Sequence, residues 1–430
     1  MPVGGNNYPM HIIQSPLFDF EAFISQKDNN RLLKILEALP SEKLLIALEQ
    51  EHWTGRKGYS VRGMWAALIA GLINQCHTLA DAVRLLKRDK ETRLICGFSK
   101  DNMPGEDALS RFLKKLVKHA TLFDEFIQDL VNQLRELLPE FGAKLAVDST
   151  DILAYANGYR EHPADTDAKW GAKKKGNSKA KDKTEAKNQK GEKKEPEVYY
   201  WFGYKLHLVI DALYELPLAF ILTPANEADT TYLKPLLQKA KVDQEQTRSE
   251  VVITDKGYDS QENNIYVYKD CKATPIIPIR ERKEAQLPDI CNAKGTPLCS
   301  CGLAMVYWGR DGKYLKYRCP HVLGKAECKS RFRCTSSSYG YVLKLPIAED
   351  IRRHPPIPRE SKKWERLYKM RTAVERVNSR VKGLLGLGDI TLRGIQKVTV
   401  RSALSLLIML AAAVSMAKDH NYQAIRNLVT

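Results

Sequence analysis

Apolar residues recur every three to four positions through residues 30–138, in RLLKILEALP, SEKLLIALEQ, VRGMWAALIAGLINQC, TLADAVRLLKRDKETRLICGF and DALSRFLKKLVKHATLFDEFIQDLVNQLRELL. That period predicts amphipathic helices. Thr78 stands where an N-cap belongs, and Pro104-Gly105 punctuates before the next run. At Lys144 the period changes. KLAVDSTDILAY alternates and then runs apolar, as a strand buried on at least one face. VYYWFGYKLHLVIDALYELPLAFILTPA returns to strand character, with a hairpin turn expected at 213–217. A helix at 229–241, an apolar strand in SEVVITDKGYDS, a further helical stretch and a strand in ATPIIPIRE follow. Helices are expected again at 362–385 and 398–417.

Two stretches break these periods. Residues 160–197 are polar and Lys-rich, without apolar periodicity, and read as a disordered insert. Residues 285–350 mix cysteines, glycines and short aromatic strands such as MVYWG and KYLKYRC. The whole predicts an α/β chain, a mixed-sheet core with an all-helical N-terminal domain and a β-rich, cysteine-rich insertion. The boundaries fall at 1–140 for the helical domain, 141–270 for the first part of the core, 271–350 for the insertion and 351–430 for the core's C-terminal helices.

Charge narrows the function. The 430 residues carry 68 Lys and Arg against 51 Asp and Glu, a net of +17. Residues 169–197 account for +6 of it, so the rest of the chain is basic too. Such a surplus favours a polyanionic partner, most simply nucleic acid, although it also serves solubility. Arg56, Lys57, Arg62, Arg111, Lys114 and Lys115 lie on different helical elements, where they suit phosphate contact or simply a solvated face. The most apolar run, 402–417, is sixteen uncharged residues. That is short of the ~20 a membrane span needs, so a buried helix is expected. With no early basic and apolar leader in the sequence, a cytoplasmic, nucleoid-associated protein is the expectation.

Candidate chemistry begins with Asp148 and Asp255, each closing an apolar strand. Open α/β sheets bind ligands at such strand ends. Two carboxylates there could share divalent cations, because Mg²⁺ prefers oxygen ligands. A strand-end Asp is also a common turn residue, and Asp151 and Asp259 are neighbouring competitors. On one helix, Tyr368, Arg371, Glu375 and Lys382 would stack at offsets of 3, 4 and 7. The stripe suits a third carboxylate beside groups that grip a DNA backbone and a base, or a solvated ion-pair face. Lys205 and His207 alternate with apolar residues and are expected on an exposed strand face.

The pattern Y-x2-R-x3-E-x6-K, carried by Tyr368, Arg371, Glu375 and Lys382, resembles the signature of bacterial cut-and-paste insertion-sequence transposases of the DDE type. AVDSTDI and ITDKGYDS resemble the two Asp motifs of that family. GRKGYSVRGMWAALIAGLINQCHTLADAVRLLKRDKETRLICGF with PGEDALSRF resembles the helical domain that precedes its catalytic core. The resemblance covers roughly residues 50–415. It implies an RNase H-like core, a catalytic and metal-binding triad of Asp148, Asp255 and Glu375, and two Mg²⁺ or Mn²⁺ ions. It implies a DNA transposase acting on terminal inverted repeats and target DNA, with Tyr368, Arg371 and Lys382 on transposon-end DNA and a homodimer on that DNA. The Lys-rich stretch is long for the family's connection, and the cysteine-rich insertion is not a general family feature.

Cys299-Ser-Cys301 and Cys319-Pro-His321, joined by aromatic strands, resemble a zinc ribbon. Cys299, Cys301, Cys319 and Cys328 are the expected zinc ligands, with Cys291 and Cys334 as substitutes; a zinc-free insertion fits the same residues. Two other functions share the triad's surroundings: a transposase-derived DNA-binding protein without turnover, and a hydrolytic nuclease.

Overall fold

The computed structural model describes residues 30–51, 58–174, 198–244, 249–280, 291–292, 294–328, 334–347 and 349–426. Arg56, Lys57 and residues 175–197 of the Lys-rich stretch lie outside them. Seven helices come first: α1 (Asn30–Ala38), α2 (Glu42–Glu51), α3 (Val61–Ile73), α4 (Leu79–Arg88), α5 (Lys90–Ile95), α6 (Glu106–Lys118) and α7 (Ala120–Leu137). Their starts obey local chemistry. Thr78 caps α4 with a full capping box, its hydroxyl accepting from Asp81 N–H while the Asp81 carboxylate accepts from Thr78 N–H.

The main sheet holds β1 (Lys144–Leu153), β2 (Lys169–Lys174), β3 (Val198–Asp211), β4 (Leu216–Pro224), β5 (Val251–Thr254) and β6 (Thr274–Ile276). Its order is β2-β3-β1-β5-β6, with β4 also on β3. The first half of β3 pairs with β2 and the second half with β4. β1 lies antiparallel to β3 and parallel to β5, which lies parallel to β6. A mixed sheet preceded by a helical region is what the residue periods predict. The helix α8 (Asp229–Lys239) links β4 to β5, and the short helix α9 (Gln261–Ile265) lies between β5 and β6. β7 (Val306–Asp311), β8 (Tyr314–Arg318) and β9 (Val342–Pro346) form a separate antiparallel sheet around a small core of Met305, Leu315, Tyr317 and Ile347.

β2 corrects the reading of 160–197 as wholly disordered. KWGAKK has little apolar periodicity of its own, but β3 supplies six residues of antiparallel pairing. Trp170 packs on Phe202, and Gly171 leaves room for the Trp201 ring, whose atoms would lie 2.5 Å from an added Cβ. Cross-strand partners decide such a strand, and a single segment does not contain them.

The 362–385 stretch also differs from one continuous helix. It forms α10 (Lys362–Lys369) and α11 (Thr372–Ser379), with a break at Met370–Arg371, then a wider π turn at Arg380–Leu384. The long apolar helix α12 (Ile395–Lys418) is long and apolar enough to cross a membrane, yet 89% of its most apolar stretch is buried within the protein. It packs against α1, α6, α7 and β4, so one hydrophobic core runs through the N-terminal helices and the sheet.

Candidate active site

β1 and β5 run side by side, with Val147 opposite Thr254. Parallel pairing therefore brings Asp148 and Asp255, the next residue along each, side by side where β5 ends. β1 runs on to Leu153 because β3 keeps pairing with it, so Asp148 lies within its strand and does not close it as the sequence suggested. Asp148 is buried, and its Oδ1 accepts from Ser149 N–H at 2.8 Å. Burial, and then the charge of Asp255, pushes the Asp148 carboxyl up to about 6. Asp255 opens a short turn at Lys256–Tyr258, its Oδ1 accepting from Gly257 N–H at 2.7 Å. An added Cβ on Gly257 would lie 2.8 Å from that oxygen, so a larger residue there would push the Asp255 carboxylate aside.

Glu375 comes from α11. Arg371 joins it to the pair, reaching Glu375 Oε1 at 2.5 Å and Asp148 Oδ2 at 3.2 Å. The Glu375 side chain is half exposed. Two arginines anchor its helix: Arg376 and Arg380 bond the two oxygens of Glu215 at 2.7 and 2.5 Å. Glu215 is buried at the β3–β4 turn with a left-handed φ of 59°. The turn is stabilised by Asp211, whose carboxylate accepts from Gly142, Leu213 and Tyr214 N–H.

The stripe does not stay on one helical face. Tyr368 stacks on Trp364 at 4.7 Å, and Arg371 lies 5.9 Å from the Tyr368 ring. Burial raises the Tyr368 phenol above its ordinary value, keeping it neutral. Lys382, on the π turn, bonds Asp151 at 3.0 Å. Asp259 is turned away, with Arg352 at 2.7 Å and Arg280 N–H donating to it. Asp151 and Asp259 thus have structural partners of their own.

A polar network underlies the pair. Asp229, in the first turn of α8, accepts from Ser149 Oγ at 3.1 Å and Lys205 Nζ at 3.2 Å. Its Oδ2 would lie 3.4 Å from a Cβ on Gly257, so Asp229 stands beside the Asp255 turn as a further carboxylate. His207 is fully buried, contrary to the exposed face expected for it. Its Nε2 meets Thr223 Oγ1 at 3.1 Å, its Nδ1 meets Tyr258 OH at 3.4 Å, and its ring stacks on Tyr232. The β4 and α8 partners lie too far along the chain for alternation on β3 to reveal them. The one signal for Asp229 was its place at the start of a helix after the hairpin.

Among the described residues, no group of three or more His, Cys, Asp or Glu is gathered tightly enough to hold a metal ion. Of the three candidate carboxylates, Glu375 is taken up by Arg371. In the insertion, Cys301 approaches Cys328 at 3.5 Å and Cys334 at 3.9 Å, while Cys299 is buried in the small core. Of the predicted set, then, Cys301 and Cys328 meet, and Cys334 joins them.

Residues 140–411 match the family described as Transposase DDE domain, and residues 18–115 match Transposase domain (DUF772). No curated protein matches the sequence. Among solved structures, the chain is similar to the piggyBac transposase synaptic complex with hairpin DNA, at 10% identity and a TM-score of 0.41, over 94% of this chain and 80% of that one. The DDE match spans the main sheet, the strand-end carboxylates and the α10–α12 region, more than half of the sequence. The chain belongs to the DDE transposases, as a DNA transposase of the insertion-sequence kind, dependent on divalent metal as that family is.

Proposed function

We propose that Asp148, Asp255 and Glu375 are the catalytic carboxylates of an RNase H-like core, acting with two Mg²⁺ ions on transposon-end DNA. The observation that carries this reading is the pair of aspartates side by side where the parallel β1–β5 pairing ends, with Glu375 tied to Asp148 through Arg371. The donor set fits the metal. Hard divalent cations prefer carboxylate oxygen, and burial followed by the neighbouring Asp255 charge raises the Asp148 carboxyl, a cost that a bound cation would offset.

Divalent cations held by Asp148, Asp255 and Glu375 would supply Lewis acidity toward water and the phosphodiester. The chain's own groups do the rest. Tyr368, Arg371 and Lys382 grip the DNA backbone and a base beside the scissile bond, Arg371 and Lys382 exchanging carboxylate for phosphate partners. Asp229, Lys205 and Ser149 hold the strand ends in register. After cleavage the freed 3′-OH attacks a target phosphodiester in line, forming a new 3′-O–P bond as the target's own 3′-O–P bond breaks and leaves a 3′-OH, with no covalent enzyme intermediate. Terminal inverted repeats as substrate and a homodimer pairing two ends complete the reading.

The test uses DNA flanking the encoding gene, labelled across each element end, with Mg²⁺ or EDTA. Metal-dependent nicking at a defined end is expected. Glu375→Ala should reduce it to the uncatalysed background while end binding stays within about threefold. Equal nicking by the variant would remove Glu375 from the site. End binding by the parent protein without nicking would mark a DNA-binding protein without turnover, and nicking without strand transfer a nuclease. A structural zinc on Cys299, Cys301, Cys319 and Cys328 is a separate part of the proposal. Its support is the Cys301–Cys328 approach, and metal analysis of the purified protein decides it: one zinc per chain, lost in Cys328→Ser.

A further inference from the structure

Six of the thirteen exposed large hydrophobic side chains among the described residues fall within 153–200: Leu153, Tyr155, Tyr159, Trp170, Tyr199 and Tyr200. This is the stretch where β2 and the first half of β3 form a two-stranded ribbon. β1 ends opposite Gly203, so Val198–Phe202 extend past it with β2 as their paired neighbour. Alternation puts Tyr200 and Phe202 on one face, together with Trp170, the partner of Phe202. Tyr159 adds a fourth ring, 4.8 Å from Trp170, and Trp170 lies 5.6 Å from Phe202. Tyr159 is 87% exposed and Tyr200 62%. The platform is also held in place: Trp170 Nε1 donates to Gly158 O at 3.3 Å, and Phe202 fills the space beside Gly158, 2.4 Å from where a Cβ would be.

Cations lie at the ribbon's edge. Lys169 and Lys173 are exposed on the same edge strand as Trp170, on the opposite face with Tyr199, and Arg160 follows Tyr159. The opposite face carries Tyr199, stacked on Trp201 at 5.8 Å and 13°. The ribbon adjoins the candidate active site: β3 pairs with β1 across Asp148, opposite Leu208, up to Leu153 opposite Gly203, and runs on from there into the ribbon.

We infer that this ribbon is a platform for unpaired DNA bases, its Tyr159, Trp170, Phe202 and Tyr200 rings stacking on bases while Lys169, Lys173 and Arg160 meet the phosphates over the strand edge. Stacking tolerates any sequence, because every base has a π face, and the lysines select a polyanion over an apolar protein segment. A base can be stacked this way only once it has left the duplex. The platform therefore serves a strand that is opened or already cut beside the carboxylates. The inference rests on the reading of this chain as a DNA strand-cleaving enzyme, but not on the identity of the triad.

The test is fluorescence anisotropy with full-length protein at one fixed salt concentration. The probes are a labelled oligo-dT of about 20 nucleotides and a labelled duplex of the same length. Tyr159→Ala, Tyr200→Ala and the triple variant with Trp170→Ala should weaken oligo-dT binding, the triple by about tenfold or more, with duplex binding changed less than about threefold. Tyr200→Phe should bind like the parent protein. The single variants at these two exposed rings keep the test valid if the triple variant misfolds, which thermal unfolding reports. Unchanged oligo-dT affinity in both single variants overturns the platform. So does a change confined to oligomeric state, which would make the patch a protein interface. Glu375→Ala separates the two readings: it should bind oligo-dT normally, and if it still nicks DNA the triad falls while the platform stands.

Discussion

His207 lies between Thr223, Tyr258 and Tyr232 without access to water, and burial pulls its pKa down from 6.5 to about 4. A depressed histidine favours the fold while neutral. Its contribution is fully present above about pH 6.5 and is lost as pH falls toward 4, because the unfolded chain then binds the proton more readily. Asp148 works the other way in the same window. Its carboxyl is raised from 3.8 to about 6, so acid relieves its burial. Comparing the parent with His207→Asn isolates the histidine. The stability difference between them should shrink by about 2 kcal/mol from pH 7 to pH 5 in urea unfolding; parallel curves would refute the assignment. Asp255 stands out in the sequence because it follows an apolar strand, Asp148 because it stands within one, and Glu375 by its spacing from Tyr368 and Arg371. Asp229 and His207 do not, because their partners Ser149, Thr223 and Tyr258 lie on separate elements.

At the scale of elements, strands and helices were readable wherever one face is apolar, as in β1, β3 and α12. β2 was not, since its partner is a strand beyond the Lys-rich stretch. The α10–α11 break was hidden for another reason: residue spacing shows which side chains could share a face, and not whether the backbone stays regular between them. Arg371 sits at that break and meets two carboxylates, Asp148 and Glu375, from there. Register carries the site as well. β3 passes so close to β1 that a Cβ on Gly203 would lie 2.1 Å from Ile152 O, a backbone atom that cannot swing aside. Gly203→Ala should therefore cost about 1–3 kcal/mol in thermal or urea unfolding and slow DNA cleavage by displacing β1. An unaltered melting temperature would show that the strands can separate there without loss.

For the whole molecule, the shared core matters more than the boundaries drawn on composition. Leu404, Leu407 and Leu410 of α12 are buried in the same cluster as Trp65, Phe123 and Leu134 from the N-terminal helices and Leu206 and Phe220 from the sheet. Leu407→Ala should destabilise by about 2–5 kcal/mol, and circular dichroism and tryptophan fluorescence should report one coincident transition for helices and sheet. Two separated transitions would mean that the N-terminal helices fold alone. The polar interruption in α12 is itself internally satisfied: Arg401 is buried and donates to Leu385 O and Ser405 Oγ, linking the helix to the turn after α11.

That arrangement bears on how the protein is made. A ribosome releases α12 last among the long helices, after the strands and the Glu375 helix. Until then α1, α6 and α7 lack the apolar surface that covers them, and the sheet lacks one wall. The first three hundred or more residues therefore wait in an incomplete state while synthesis finishes, at ~5–20 residues per second. A message broken before the α12 codons yields a chain with both aspartates but no finished core. Translation must pass the α12 codons before the N-terminal helices and the sheet can share a closed core.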